Sequence, residues 1–424
     1  MKTGKPVYVI GGMRVPFVKS MTSYRGAGTN ELMAAPLKEL AFRYGLRDAP
    51  MGDVALGALM NSSSNWNLAR ETVLDAGFHP YTPAYNVQRA CGTSLETTLH
   101  IALKIASEQI DDGIAGGVDT NSDIPIEVSA EMRDILLDVN SARTPVDKIK
   151  ALAQVRPQFL APKTPAVVEP KTGLSMGQHC EKMVKEWQIP REAQDELAYR
   201  SHLNGTKAYE RGFYNDLVTA FKGIEKDGTL RPDTTIEKLA KLKPAFDRSA
   251  AGTLTAGNSS PLTDGSAAVL LASAEQASKR GWQPQARFVD AQASALDFVG
   301  GDGLLMAPTV AVGKLLQRNG LTLQDFDFYE IHEAFAGQVL CTLKAWETEA
   351  YCRKYLGQGA LGSIDRERLN VVGSSVALGH PFAATGARIV GTLAKLLKEN
   401  GKGRGLISIC TAGGMGVAAI LEAV

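Results

Sequence analysis

Three short motifs place reactive side chains where the backbone itself can assist them. Cys91, in QRACGTS, follows the extended segment AYNVQ and stands at the start of a helical pattern beside Gly92, Thr93 and Ser94. Unpaired N–H groups at a helix N-terminus favour a thiolate over a thiol, so a nucleophilic cysteine fits this place. His380, in GHPFAATGAR, lies between Gly379, which permits unusual backbone angles, and Pro381, which suits a first helical turn. An imidazole held this way can act as general base toward a thiol. Cys410, in ICTAGGMG, ends an apolar run and leads into small residues, Ala412 among them. Their exposed N–H groups are what an oxyanion hole requires, and a second thiol there can move protons. His332 in IHEAFAGQ also follows an apolar strand, next to Glu333. Taken singly, each cysteine reads equally as a small buried hydrophobe and each histidine as a hydrogen-bonded structural residue. Cys180 beside His179, and Cys341 with Cys352, lack zinc-ligand spacing, so no metal site is expected. Neither GxxxxGK followed by Ser or Thr nor a strand–GxGxxG–helix occurs, which removes support for nucleoside-triphosphate and dinucleotide binding.

The elements that must position these groups repeat along the chain. KEL-AFRYGLRDAP leads into DVALGALM at residues 53–60, and KLLQRNGLTLQD leads into FDFYEIHEAFA, with Gly45-Leu46 and Gly320-Leu321 at the matching turns. YNVQRACGTS precedes a helix and then GIAGGVD, as LNVVGSSVALGHPFAATG precedes a helix and then LISICTAGGMG. Two matches in the same order predict two α/β halves on one plan. Short apolar strands alternating with amphipathic helices favour mostly parallel sheets covered by helices. Residues 95–109 put Leu95, Leu99, Ala102, Leu103 and Ala106 on one helical face, and residues 384–397 repeat this with Ile389, Leu393, Leu396 and Leu397. Residues 120–250 break the pattern. Within them, 143–171 hold Arg143, Lys148, Lys150, Arg156, Lys163 and Lys171 against Asp147 and Glu169. Pro145, Pro157, Pro162, Pro165 and Pro170 preclude a long regular helix there. Such a run is either a solvated excursion or a basic lip for a polyphosphate ligand or a docking partner.

Composition narrows the class. The 424 residues are enough for roughly three structural units. With 44% hydrophobic and 21% charged residues the chain is a folded protein, neither disordered nor collagen-like nor a coiled coil. A net charge of +1 gives no field to recruit nucleic acid. Five cysteines, an odd number in so long a chain, make no disulfide framework. No apolar stretch reaches the roughly 18 residues of a membrane helix. The opening MKTGKPVYVIGG reads as a strand rather than a signal peptide, and a reduced, cytoplasmic enzyme is expected.

QRACGTS, GLSMGQ at 173–178, NSSPLTDGSAA at 258–268, HEAF at 332–335, GHPFAATG at 379–386 and CTAGGMG at 410–416 occur in the order and spacing of the thiolases. The chain resembles that family over essentially its whole length. The resemblance implies a duplicated five-layer αβαβα core with an inserted loop domain. It divides the chain into an N-terminal half (1–120 and 251–275), a loop domain (121–250) and a C-terminal half (276–424). It implies Cys91 as the acylated nucleophile, His380 as its base and Cys410 as the second acid/base. Backbone N–H groups of Cys91 and Ala412 would hold an enolate oxygen, and His332 with His380 an oxyanion at the acylated carbon. Met176 and Ser260 match positions lining the pantetheine and acyl channel, and Phe335 matches a pocket-wall residue. Many thiolases carry Asn at position 332 and Gly at 412. His332 and the long basic segment at 141–171 resemble instead the multienzyme-type 3-ketoacyl-CoA thiolases.

The implied activity is cleavage of a 3-ketoacyl-CoA by CoA to acetyl-CoA and a shortened acyl-CoA, as in fatty acid β-oxidation. CoA and acyl-CoA enter as substrates, and no cofactor is expected. A homodimer or dimer of dimers is implied, with a multifunctional hydratase/dehydrogenase subunit as a further partner. Acetoacetyl-CoA thiolase activity is the nearest alternative. Decarboxylating ketoacyl synthases pair one Cys with two His, which Cys410 opposes. A non-catalytic acyl-CoA-binding protein would be expected to have lost Cys91, His380 or Cys410.

Overall fold

The computed structural model describes residues 4–163 and 168–424. Pro165 of the basic segment and the first three residues of the chain lie outside the described residues. The strands are β1 (Val7–Arg14), β2 (Val18–Lys19), β3 (Asp53–Leu56), β4 (Ala84–Asn86), β5 (Asp112–Asp119), β6 (Thr263–Ser273), β7 (Ala286–Ala295), β8 (Phe328–Ile331), β9 (Arg404–Thr411) and β10 (Met415–Glu422). They follow the order β4-β3-β5-β6-β1-β7-β10-β9-β8, with β2 added on β6.

Two half-sheets on one plan meet where β1 pairs with β7 through Val7–Val9 against Phe288–Ala286. In the first half β3 and β5 are parallel, then β5–β6 and β6–β1 antiparallel. In the second, β8 and β9 are parallel, then β9–β10 and β10–β7 antiparallel. Even the parallel neighbour β4 on β3 has its counterpart, a bridge of Leu369 to Tyr329 of β8. The sheet is therefore mixed, with most pairings antiparallel, which corrects the expectation of mostly parallel sheets. Helical crossovers join β3 to β4, β4 to β5 and β8 to β9, all of which run parallel. β9 returns at once into β10 through the turn at residues 412–414, and a tight connection forces antiparallel pairing.

Alternation along the strands builds the layers. Val269 and Leu271 face one side of β6, while Ala268, Leu270 and Ala272 face the other. Ile407 and Ile409 of β9 join the same inner cluster as Val269, while Leu406 faces outward. Two helices, Thr93–Ala106 and Thr385–Asn400, fill the inner layer between the half-sheets. Helices Thr29–Tyr44 and Leu68–Asp75 cover the outer face of the first half, and Ala307–Asn319 and Ala336–Glu347 that of the second. This is the αβαβα order. Each buried Leu or Ile stabilises by about 1.5–3 kcal/mol, and a one-residue slip of β6 would exchange the side chains packed on its two buried faces.

Ile389, Leu393, Leu396 and Leu397 are all buried on the second inner helix. On the first, Leu95, Ala102 and Ala106 are buried but Leu103 is 47% exposed, contrary to expectation. The buried stripe runs through Thr98, Ile101 and Ile105, and Leu103 lies about 200° round the helix from Ile101. The chain between β5 and β6 carries helices Ala130–Ser141, Pro145–Leu152, Met176–Glu186, Arg191–Glu210 and Ile236–Ala240. The first two leave Leu136, Leu137, Val146, Ile149 and Leu152 exposed. Among the described residues no helix is long and apolar enough to cross a membrane.

Candidate active site

Cys91 sits in a one-turn 3₁₀ segment, Ala90–Gly92, that runs straight into helix Thr93–Ala106. Ala90 has φ 44°, a left-handed angle that a non-glycine residue adopts at a cost of about 1–3 kcal/mol. Thr93 fixes it: the hydroxyl donates to the Ala90 carbonyl at 2.7 Å and accepts the Arg89 N–H at 2.9 Å. The turn is seated on the end of β9, since a Cβ on Gly92 would lie 3.0 Å from side-chain atoms of Thr411 and Val417. Burial pushes the Cys91 thiol up to about 12, while the N–H groups of Ala412 and of Cys91 itself pull the other way. The expectation of a favoured thiolate is corrected here. The helix end contributes, but desolvation outweighs it, and the resting group is a neutral thiol.

Gly379 has φ 100°, and a Cβ there would lie 3.0 Å from Thr263 Cγ2. The following residue, His380, donates its backbone N–H to Thr263 Oγ1 at 2.8 Å. Its Nδ1 pairs with Thr385 Oγ1 at 2.6 Å, which leaves Nε2 to take a proton. Burial, then the charge of Arg388, pushes His380 down to about 3, so the ring is neutral. Asp119, at the end of β5, accepts N–H bonds from Leu59, Met60 and Ala383 and so ties the loop after His380 to the sheet. The inner helices then meet end to end: the Ala387 N–H donates to Ser94 Oγ at 2.8 Å, with Gly386 against Leu95.

Cys410, on β9, is buried, and desolvation followed by the nearby Cys91 holds its thiol well above the usual range. Beyond it Gly413 and Gly414 take φ 75° and 68°, and the Gly413 N–H donates to Glu169 Oε1 at 2.9 Å. The proline-rich segment thus reaches the site through Glu169, which neither its solvated nor its docking reading anticipated. His332 is fully buried with its ring centroid 4.1 Å from that of His380. Its Nδ1 pairs with Ser375 Oγ at 2.8 Å, and its Nε2 has no partner. Burial, then His380 and Arg388, keeps His332 neutral. Beside it Glu333 accepts from Ser201, Asn370 and the Val376 N–H.

Cys91, Cys410 and the Ala412 N–H therefore lie together, His332 faces His380, and the Cys91 turn packs against the 382–384 turn that follows His380. Ser260 donates its hydroxyl to the Ala334 carbonyl at 3.0 Å and lines a cavity of about 550 Å³ with Phe246, Leu262, Lys19, Arg231 and Lys238. Leu262 bridges to His380, so the cavity ends beside that residue. Met176 and Phe335 stand apart from its walls. They pack with Cys410 in one apolar cluster, Phe335 edge-on to Phe246 at 5.6 Å. Met176 opens a helix that Ser175 and Gln178 cap reciprocally. Sequence reasoning missed Asp119, Ser375, Thr385, Arg388 and Glu169. An arginine among the small and apolar residues of the first turns of helix Thr385–Asn400, as at 388, was the one available signal.

The chain matches the thiolase N-terminal domain over residues 7–275 and the thiolase C-terminal domain over residues 282–423. It is 40% identical over 426 residues to a 3-ketoacyl-CoA thiolase of Serratia proteamaculans, covering 99% of this chain and 97% of that one. A 3-ketoacyl-CoA thiolase of Yersinia pestis is 39% identical over 428 residues, covering 99% and 98%. The crystal structure of the Bacillus anthracis acetyl-CoA acetyltransferase superposes with a TM-score of 0.82 at 31% identity, covering all of both chains. An Ascaris suum thiolase at 24% identity shares the fold with a TM-score of 0.81, covering 99% of this chain and all of that one. With the duplicated halves, the paired thiols and these full-length matches, the chain belongs to the thiolase family.

Proposed function

We propose that the protein is an acyltransferase that cleaves 3-ketoacyl-CoA with CoA, giving acetyl-CoA and a shortened acyl-CoA, as β-oxidation requires. Two buried thiols beside two neutral imidazoles and the Ala412 N–H carry this reading. Full-length identity of 40% to a 3-ketoacyl-CoA thiolase supports it over acetoacetyl-CoA synthesis. His380 takes the Cys91 proton as the sulfur attacks the 3-keto carbon, and His332 donates to the oxyanion. The carbon–carbon bond breaks, leaving Cys91 acylated and acetyl-CoA as its enolate. Backbone N–H groups of Cys91 and Ala412 hold the enolate oxygen, and Cys410 protonates the carbon. The Cys410 thiolate then takes the proton of incoming CoA. CoA sulfur attacks the acyl thioester, and Cys91 leaves and recovers its proton from His380. The cycle moves protons and one acyl group, so it requires no redox group.

Because burial disfavours both the Cys91 thiolate and charged His380, proton transfer accompanies attack rather than preceding it. CoA fits the cavity of about 550 Å³ at Ser260, with Lys19, Arg231 and Lys238 toward its phosphates. The protein acts as a homodimer or dimer of dimers. Its exposed helix Pro145–Leu152, with Val146 and Ile149 beside Arg143, Lys148 and Lys150, belongs to the segment 143–171 that docks a partner, a hydratase/dehydrogenase subunit or a membrane surface, more than it binds CoA. Neutralising Lys148, Lys150 and Arg156 weakens that complex and spares short-chain thiolysis. A raised KM for CoA with docking intact would contradict the assignment. Thiolysis rates from acetoacetyl-CoA to 3-ketohexadecanoyl-CoA test the activity itself. Cleavage of acetoacetyl-CoA alone would move the assignment to the two-carbon enzyme.

A further inference from the structure

Behind His332 lies a buried chain of polar groups that the reaction steps leave unused. Its Nδ1 contacts Ser375 Oγ at 2.8 Å, and Arg388 Nη2 donates to that same oxygen at 2.6 Å. Arg388 is in turn 4.0 Å from the Glu330 carboxylate, and all four side chains are at least 98% buried. We infer that Ser375 and Arg388 are positioning residues that fix His332 in the tautomer whose Nε2 carries the proton, making it a donor inside the site.

A guanidinium has donors and no acceptor, so the Arg388 contact uses a lone pair of Ser375 Oγ. The Ser375 hydroxyl keeps one proton to place. Glu330 cannot take it, since neither of its carboxyl oxygens has a hydrogen-bond partner, and the remaining acceptor in contact is His332 Nδ1. In the opposite tautomer Nδ1 would donate to Ser375, and the serine proton would be stranded in a fully buried place. With Nδ1 accepting, the ring's single proton lies on Nε2, the nitrogen without a protein partner. His380 faces it at 4.1 Å between centroids with Nδ1 tied to Thr385. The facing imidazoles then take complementary parts. One donates to developing negative charge, and the other accepts the thiol proton.

This rests on the thiolytic reading for its kinetic consequence but not for the tautomer itself. Ser375→Ala leaves Nδ1 without its donor, while Ser375→Thr keeps the hydroxyl. Loss of a group that orients a functional imidazole costs on the order of 10- to 100-fold in activity. We expect Ser375→Ala to stay folded with a lowered melting midpoint, since Arg388 loses its acceptor, to lower kcat by that factor with KM for CoA unchanged, and Ser375→Thr to restore both rate and midpoint. A carboxamide has no tautomer to set, so in a His332→Asn background Ser375→Ala should change kcat less than about twofold. Long-range proton–nitrogen spectra of ¹⁵N-histidine enzyme, assigned by loss of the signal in His332→Asn, read the tautomer without any assay of activity. A protonated Nε2 in the wild type that shifts in Ser375→Ala supports the inference even if the enzyme proves to use another acyl-CoA. A protonated Nδ1 in the wild type, or an equal kcat loss in both backgrounds, overturns it.

Discussion

Replacing Gly386 with alanine tests whether the end-to-end contact of the two inner helices sets the distance between Cys91 and His380, the proposed nucleophile and base. An added Cβ would lie 2.2 Å from the Leu95 backbone nitrogen and 2.9 Å from the Ser94 carbonyl carbon, where ordinary contact begins near 3.4 Å. Both neighbours are backbone, so no rotamer relieves the clash. The two helix ends must part by about 1.2 Å at this contact, close to the Cys91 turn on one side and the His380 loop on the other. That breaks the 2.8 Å bond from the Ala387 N–H to Ser94 Oγ. Overpacking of this kind costs about 1–3 kcal/mol of stability, which a chain with so large a core survives. Misplacing reacting groups by about 1 Å costs on the order of 100-fold in rate, or about 2.7 kcal/mol of activation free energy. The assay is initial thiolysis of a short 3-ketoacyl-CoA, with folding followed by thermal melting. Gly359→Ala is the control, since its nearest neighbour would be Glu349 Oε2 at 3.7 Å. A folded Gly386→Ala enzyme with kcat within twofold of wild type would refute the reasoning.

Two further outcomes follow from side chains at the site. His332→Ala should lose about 2–4 kcal/mol of transition-state stabilisation in kcat/KM, while His332→Asn, which keeps a donor, should retain measurable thiolysis; wild-type rates in the alanine enzyme would make His332 structural. Asp119→Asn puts an NH2 in place of one of the two oxygens that accept N–H bonds from Leu59, Met60 and Ala383, and at about pH 4 should lower unfolding stability by about 1–3 kcal/mol in denaturant titration, the cost of a buried N–H left unpaired. Burial raises Asp119 to about 6, so the folded state holds its proton more tightly than the unfolded chain. Its contribution is therefore greatest below about pH 4 and is lost as pH rises through 6, a slope the asparagine variant should lack.

The chemistry-bearing turns were legible because the backbone constrains residue type there. Gly379 at φ 100° and the small residues after Cys410 are written into the sequence. The duplication was also legible, since each half repeats the same helix, turn and strand. Strand direction was not. Whether β6 and β10 run parallel or antiparallel depends on how the chain returns after long or very short connections, which local periodicity does not record. Leu103 shows the same limit on a helix, where a layer between two sheets widened the buried stripe around Ile101 and left Leu103 outside. The buried Glu330–Arg388 pair and the reach of Glu169 to Gly413 are tertiary facts, across 58 and 244 positions of sequence. The Cys91 thiol makes the energetic point. Its helix-end location was readable, but the depth of burial that opposes ionisation was not.

The central claim is that Cys91 carries the acyl group while Cys410 only moves protons. Intact-protein mass spectrometry with peptide mapping, after incubating Cys410→Ser with an acyl-CoA, tests it most directly. Acylation by the product thioester uses His380 and Cys91 for the attack and Cys410 only to protonate the departing CoA thiolate, so in Cys410→Ser the mass should rise, more slowly, by one acyl group mapped to Cys91, with steady-state thiolysis lost. Cys91→Ser should show no adduct, because a serine hydroxyl is far harder to ionise than a thiol near neutral pH. An acyl group mapped to Cys410 in the wild type, or thiolysis surviving in Cys91→Ser, would contradict the account.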